Sequence, residues 1–254
     1  QRALADSVAA FASLLVTHAP TDIDPIMERI AAKHASLGVQ AAHYGIVRTH
    51  LFAAIAEVLG DAVTPQVAVA WHEVYTLMAN SLVEQETELY RRAGVAPGDI
   101  WRRVVVTEHE YDGAHAATFH LRSVDGRPLP AFLPGQYISV RVALPDGSEQ
   151  IRQYTVFPGR TSGEWAVTVK RVPGGLVSPV LCDGLRVGDH LLVSPPFGSV
   201  VVDRGSEPLL LVSAGVGVTM TIAALRDIQS RGDGRSVDVV HVDRTPYEQP
   251  HRTE

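Results

Sequence analysis

Apolar residues recur at helical spacing through the first third of the chain, at strand spacing through its middle, and as short unbroken runs near its end. Leu4, Val8, Phe11 and Leu15 form one helical stripe, closed by His18-Ala19-Pro20. Thr21-Asp22 can cap a second helix, on which Ile26, Ile30 and His34 share a stripe that stops at Gly38. A third helix carries Ile46, Val47, His50, Leu51, Ile55 and Val58 and ends near Gly60. The fourth is long and aligns Val67, Trp71, Val74, Tyr75, Met78, Leu82, Glu86 and Leu89.

The pattern changes at Gly94-Val95-Ala96-Pro97-Gly98, a linker signal. Short β-prone runs follow: Val104 to Thr107, Ala117 to Leu121, Gln136 to Val142, Arg152 to Val156 and Trp165 to Arg171. Turns such as Asp125-Gly126 and Pro145-Asp146-Gly147 separate them, which predicts a small antiparallel barrel or sandwich. From Pro208 a continuous apolar run, Leu209 to Val212, leads into Gly215-Val216-Gly217, a helix from Thr219 to about Ser230, and a second run, Val237 to Val242. That is one βαβ unit. The expected fold class is multidomain α+β: an all-α domain over 1–93, an antiparallel β domain over 94–204, and the start of an α/β parallel-sheet domain over 205–254, which the resemblance described below implies is nucleotide-binding. One βαβ unit cannot cover both faces of a parallel sheet, and the chain opens on a helical pattern at Gln1 without a methionine. It is therefore expected to be cut at both ends.

Composition narrows the class. With 46% hydrophobic and 20% charged residues the 254-residue chain has the balance of a soluble globular protein. A net charge of -6 argues against nucleic-acid partners and against an anionic membrane surface. No apolar run approaches the roughly 18 residues of a membrane span. The lone Cys182 cannot form an internal disulfide, which suits a reducing cytoplasm.

Three groups of residues carry candidate chemistry. His34 lies on an apolar stripe and can be a core histidine satisfied locally. Glu86 lies in the apolar line of the fourth helix, where a carboxylate needs a partner; alternatively it is a solvated residue beside Gln85 and Glu88. A histidine that binds metal usually gives its second ring N–H to a carboxylate or carbonyl, so His34, Tyr44 and Glu86 could satisfy one another. In the β region, Arg152 can neutralise a pyrophosphate, Tyr154 can lie flat on a ring system, and Thr155 can reach its polar edge. Lys170-Arg171 precedes a two-glycine turn and Ser178, which opens a short helix whose backbone N–H groups suit phosphate. In the βαβ unit, Gly215 and Gly217 let the backbone approach a phosphate and Thr219 can cap the helix.

These runs resemble a known family. Ile30-Ala31-Ala32-Lys33-His34-Ala35-Ser36, His43-Tyr44-Gly45-Ile46-Val47, Ala70-Trp71 through Tyr75, Ala79-Asn80 and Glu84 through Tyr90 resemble the proximal half of the globin domain in bacterial flavohaemoglobins. Arg152-Gln153-Tyr154-Thr155 resembles the Arg-x-Tyr-Ser/Thr signature of the ferredoxin-reductase superfamily. Pro134-Gly135-Gln136-Tyr137, Lys170 through Ser178 and Pro195-Pro196-Phe197-Gly198 fall in the same order as in that superfamily. Gly215-Val216-Gly217-Val218-Thr219-Met220 is similar to its NAD(P) turn, with Met220 where the family has proline, and His241 and Arg244 follow the second strand.

The resemblance implies a partial globin, an antiparallel barrel of the ferredoxin-reductase type, and three cofactors: haem b, FAD and NAD(P)H. His34 is implied as the iron ligand, with Tyr44 and Glu86 behind it, Lys33 at the haem edge and Leu4 in the distal pocket. The family's distal tyrosine falls upstream of Gln1, and its distal glutamine at Gln1 or just before it. Tyr137, Arg152, Gln153, Tyr154, Thr155, Lys170, Gly175, Val177 and Ser178 are implied as flavin contacts, and Gly215 to Met220 as nucleotide contacts. The implied activity is nitric oxide dioxygenation: nitric oxide and oxygen give nitrate, with electrons from NAD(P)H through FAD. The alternatives are an oxygen-binding or sensing globin with a reductase domain, and a haem-free flavin reductase. The expected protein is a cytoplasmic monomer whose partners are small molecules, oxygen and nitric oxide; residues 1–254 by themselves are expected to be inactive.

Overall fold

The computed structural model describes residues 10–13, 20–113, 115–232 and 234–252. They form two compact units, Gln1–Asp99 and Ile100–Glu254.

The first unit is helical. Residues 10–13 are helical, and three helices follow: α1 (Pro20–Ala35), α2 (Ala41–Leu59) and α3 (Pro65–Ala93). Thr21 and Asp22 fall inside α1, already helical from Pro20, rather than at its cap. Gly38 takes φ +76°, and the N–H groups of Leu37, Gly38 and Val39 fold back onto the His34 and Ala35 carbonyls, so the helix ends there as its sequence predicts. Helix α3 starts on Thr64, whose hydroxyl accepts the Val67 N–H at 3.3 Å, followed by Pro65; it stops at left-handed Gly94.

The core stripe of α1 is offset from the expected one. Ile23, Met27, Ala31 and Ala35 are buried against α3, where Tyr75, Met78, Ala79 and Leu82 meet them. Ile26, Ile30 and His34 lie one helical step away and line a cavity instead. On α2, Val47, Leu51 and Ile55 pack inward, whereas Ile46 and Val58 are exposed, so only half of the expected stripe is core.

The second unit holds a closed six-stranded antiparallel barrel in the order β1-β2-β5-β4-β3-β6. Its strands are β1 (Arg102–Asp112), β2 (Ala116–Ser123), β3 (Tyr137–Ala143), β4 (Glu149–Pro158), β5 (Trp165–Lys170) and β6 (His190–Val193). Strand β6 escaped the sequence reading because it is four residues long; it closes the barrel by pairing with both β1 and β3. Alternate residues fill the interior: Val104, Val106, Phe119, Leu121, Ile138, Val140, Val156, Trp165 and Val167. A bulge between Val106 and Glu108 breaks the β1–β2 register. Unbroken alternation would send Glu108 and Glu110 into the core; the extra residue keeps them outside, and His109 stacks on Phe119 at 4.7 Å.

The βαβ unit follows: β7 (Leu209–Ala214), a tight turn at Gly215–Gly217, α4 (Val218–Arg231) and β8 (Val237–Val242), parallel to β7. Val218, Ile222 and Ala223 of α4 seat on Phe157 and Ala166 of the barrel. Leu211 of β7 is buried, while Leu210 and Val212 of β7 and Val239 and Val240 of β8 are exposed, so apolar residues stand uncovered on both faces of this two-stranded sheet.

Candidate functional site

The helical unit brings His34, Tyr44 and Glu86 together from three helices. His34 Nδ1 lies 2.9 Å from Glu86 Oε1 and 2.8 Å from the Tyr44 hydroxyl. The Tyr44 hydroxyl in turn donates to the same Glu86 oxygen. Nδ1 therefore carries the proton, shared between carboxylate and phenol oxygen, and Nε2 is left as the basic nitrogen. Glu86 is buried, so the solvated alternative for it is excluded; its side chain is 3% exposed against 32% for His34. Burial first, and then the hydrogen bond and negative charge of Glu86, push the Tyr44 phenol far above its ordinary range, so it remains a donor.

Tyr75 adds a support that the sequence reading placed only in the core. Its hydroxyl donates to the Tyr44 carbonyl at 2.8 Å. The Tyr90 hydroxyl likewise donates to the Val39 carbonyl at 2.7 Å, tying α3 to the loop after His34. Each tyrosine lies in an apolar line whose lone polar atom needs a partner when buried, which is the signal that could have marked them.

His34 opens onto a cavity of about 660 Å³ whose walls include Phe11, Ile26, Met27, Ile30, Val47 and Met78, with Lys33 at its margin. A flat apolar macrocycle with a metal centre fits this donor set: one imidazole held at Nδ1 by a carboxylate, in an apolar pocket large enough for a cofactor. Leu4 lies outside the described residues.

In the barrel, β4 aligns the flavin signature. Tyr154 is half-buried on the barrel core opposite Ile138, and burial pushes its phenol up to about 12. Thr155 pairs with Tyr137, whose backbone N–H and carbonyl bridge to Phe197 at 2.8 and 2.9 Å. Tyr137, Tyr154 and Thr155 thus gather where β3 and β4 meet the 195–198 turn. The Gln153 amide donates to Ser139 Oγ at 2.9 Å, so its side chain positions β3. Arg152 is exposed, its guanidinium resting on the Gln150 side chain and the Ile151 carbonyl, where an anion could draw it away.

The turn after β5 is a clamped loop with two glycines. Ser178 opens the short helix 178–184, and its hydroxyl accepts the Val172 N–H at 2.9 Å, clamping the loop. A Cβ on Gly175 would sit 3.1 Å from the Val172 carbonyl and 3.3 Å from Ser178 Oγ, so glycine fits the close approach. Val177 is 3% exposed in the barrel core and can offer only its backbone. Lys170 does not point along this loop: its Nζ lies 3.7 Å from where a Gly215 Cβ would be, beside the glycine turn of the βαβ unit.

In that turn Gly215 takes φ +53°, and α4 is capped by Gly217 rather than by Thr219. Thr219 lies in the first turn of the helix, 5% exposed, and its hydroxyl donates to the Val216 carbonyl at 3.0 Å. The expected cap is thereby corrected: the helix starts two residues earlier because Val218 anchors it on the barrel. Met220 leans toward Gly135, its Cε about 3.1 Å from a Cβ built there. His241 accepts or donates at 2.9 Å with Ser213 Oγ at the carboxyl ends of β8 and β7.

Comparison with known proteins gives one answer. A globin family model matches residues 2–82, and a model described as an oxidoreductase FAD-binding domain matches residues 104–202. A flavohemoprotein of Bordetella parapertussis is 41% identical over 253 residues, covering 96% of this chain and 62% of its own length. The chain belongs to the flavohaemoglobin family. A flavohemoprotein of Bacillus subtilis is 36% identical, covering 87% of this chain and 56% of its own. Among solved structures, the flavohemoglobin of Malassezia yamatoensis with bound FAD and heme superposes with a TM-score of 0.91 at 32% identity, over 99% of this chain and 66% of that one. The FAD/NAD-binding domain of a Vibrio cholerae nitric oxide dioxygenase covers 59% of this chain and 65% of that one with a TM-score of 0.56 at 29% identity. The chain thus spans about 62% of the length of the Bordetella flavohaemoglobin. Among the described residues no helix is long and apolar enough to cross a membrane.

Proposed function

We propose that this flavohaemoglobin chain serves an NAD(P)H-dependent nitric oxide dioxygenase, and that it binds haem b in the His34 cavity and FAD on the barrel. The observation that carries the reading is the His34–Glu86–Tyr44 network facing an apolar cavity, in one chain with a barrel that presents Arg152-Gln153-Tyr154-Thr155. When bound, haem supplies the iron at which nitric oxide and oxygen become nitrate, and FAD supplies the relay of electrons from NAD(P)H.

The chain's own residues set the conditions. His34 Nε2 would hold the iron, and Glu86 retains the Nδ1 proton, which raises the basicity of Nε2. Tyr44 stays protonated and donates to the buried Glu86 oxygen that also meets His34 Nδ1. Tyr75 fixes the Tyr44 backbone, and with it the ring orientation. On the barrel, Tyr137, Tyr154 and Thr155 would take the flavin ring, while Arg152 with Gly175, Ser178 and the Val177 backbone would take its phosphates. The backbone of Gly215 to Val218, with Lys170 beside it, would receive the nicotinamide dinucleotide, with Thr219 and Met220 flanking. The division into 1–93, 94–204 and 205–254, a cytoplasmic location, and a monomer acting on oxygen and nitric oxide belong to the same proposal.

The test is nitrate formation from nitric oxide and oxygen under NADH by the haem- and FAD-loaded full-length protein that contains this chain. No nitrate beyond uncatalysed oxidation sinks the dioxygenase reading. Reversible oxygen binding without turnover would favour a storage or sensing globin, and the lack of a Soret band after haem loading a plain flavin reductase.

A further inference from the structure

The β1 bulge has a consequence on the outer wall of the barrel. It sends Glu108 and Glu110 outward beside His120, which pairs directly with Glu108 across the strands. His120 is 4% exposed, yet its imidazole makes no hydrogen bond: Nδ1 is buried without a partner, and Nε2 faces Glu110 Oε1 at 3.9 Å. One nitrogen of His120 and one oxygen from each glutamate all lie within 4.8 Å of one another. A buried imidazole nitrogen without a partner is costly, and the ring stands beside two carboxylates with Nε2 turned to Glu110.

We infer that Glu108, Glu110 and His120 form a binding site for a borderline divalent cation such as Zn2+, separate from the haem, flavin and nucleotide sites. One imidazole with two carboxylates suits zinc, which takes nitrogen and oxygen ligands at about 2.0–2.2 Å. The glutamate side chains are 47% and 44% exposed, so they can close on the ion while His120 stays fixed in the wall.

The guanidinium of Arg160 now supplies the positive charge. Its Nε is 2.7 Å from Glu108, its Nη2 pairs with Glu110, and its side chain is 58% exposed. Metal binding is therefore a competition with a mobile arginine, and that competition separates a metal site from a plain ion-pair cluster.

The experiment titrates Zn2+ into the metal-stripped full chain, reading bound zinc by mass spectrometry and affinity by calorimetry. A single saturable equivalent is expected. Glu110→Gln and His120→Gln should each weaken it at least tenfold, while His190→Ala, an exposed histidine elsewhere on the barrel, should not. Arg160→Gln should tighten it by about tenfold, the weight of two partly screened ion pairs released. Glu110 is on the surface, so its variant remains informative if His120→Gln fails to fold. No saturable zinc, or zinc binding unchanged in Glu110→Gln and Arg160→Gln, overturns the inference.

Discussion

Glu86 is the residue on which the helical site turns. It accepts from both His34 and Tyr44 while almost wholly buried, and among the described residues it is the carboxylate that joins the two. Glu86→Gln keeps the size and removes the charge. Haem should still bind, and nitrate formation under nitric oxide should fall about 10- to 100-fold, as for other residues that orient a metal ligand. Unchanged turnover would make Glu86 a bystander. In the haem-loaded protein His34→Ala should abolish the spectrum of a histidine-ligated haem; an unaltered Soret band would contradict its role. The barrel carries an alkaline signature as well. Burial raises the Cys182 thiol to about 11 and the Tyr154 phenol to about 12, from 9.0 and 10.0. Both raised groups favour the folded state fully below their unfolded values, and that contribution is lost as pH rises from about 9 through 12. Denaturant midpoints should therefore fall across that window, and Tyr154→Phe should flatten its upper part.

At the scale of elements, turns and caps fix where side chains stand. Gly135 takes φ +104°, and a Cβ there would lie 2.3 Å from the Val200 carbonyl. Gly135→Ala should cost at least about 2 kcal/mol, since strained backbone and a backbone clash combine, and should weaken FAD binding by displacing Tyr137. Equilibrium unfolding and flavin fluorescence would show it. Thr64→Ala, by contrast, should cost about 1 kcal/mol as the loss of a helix N-cap and leave the cofactor sites alone. Long elements were legible because period and punctuation agree: Gly94 closes α3, and Gly38 ends α1. Short or irregular ones were not. Strand β6 has four residues and no turn signature of its own, and the β1 bulge is a one-residue change of register that alternation alone reads the wrong way.

At the scale of the whole molecule, each unit has its own apolar core, one around Met27, Tyr75 and Leu82, the other around Phe119, Ile138 and Trp165. Calorimetry should resolve two transitions, with FAD raising one and haem the other. At 100 times its Kd, a ligand should add about 2.7 kcal/mol to the unit that binds it. A single transition shifted equally by both cofactors would contradict this. The sequence by itself determined the order of helical, antiparallel and parallel segments, and it determined the chemistry of the site residues. Periodicity, glycine turns and a charged residue in an apolar line are local facts that survive without a fold. Only the tertiary structure decided which stripe of α1 is core and which faces the cavity, since Ile23 and Ile26 are equally apolar. It also decided that Glu86 is buried on His34, that Lys170 stands by Gly215 rather than along its own loop, and that Val218 rather than Thr219 sets the start of α4. Each of these depends on a neighbour distant in sequence, and a hydrogen bond or a packing contact across 52 residues leaves no trace in the spacing of either partner.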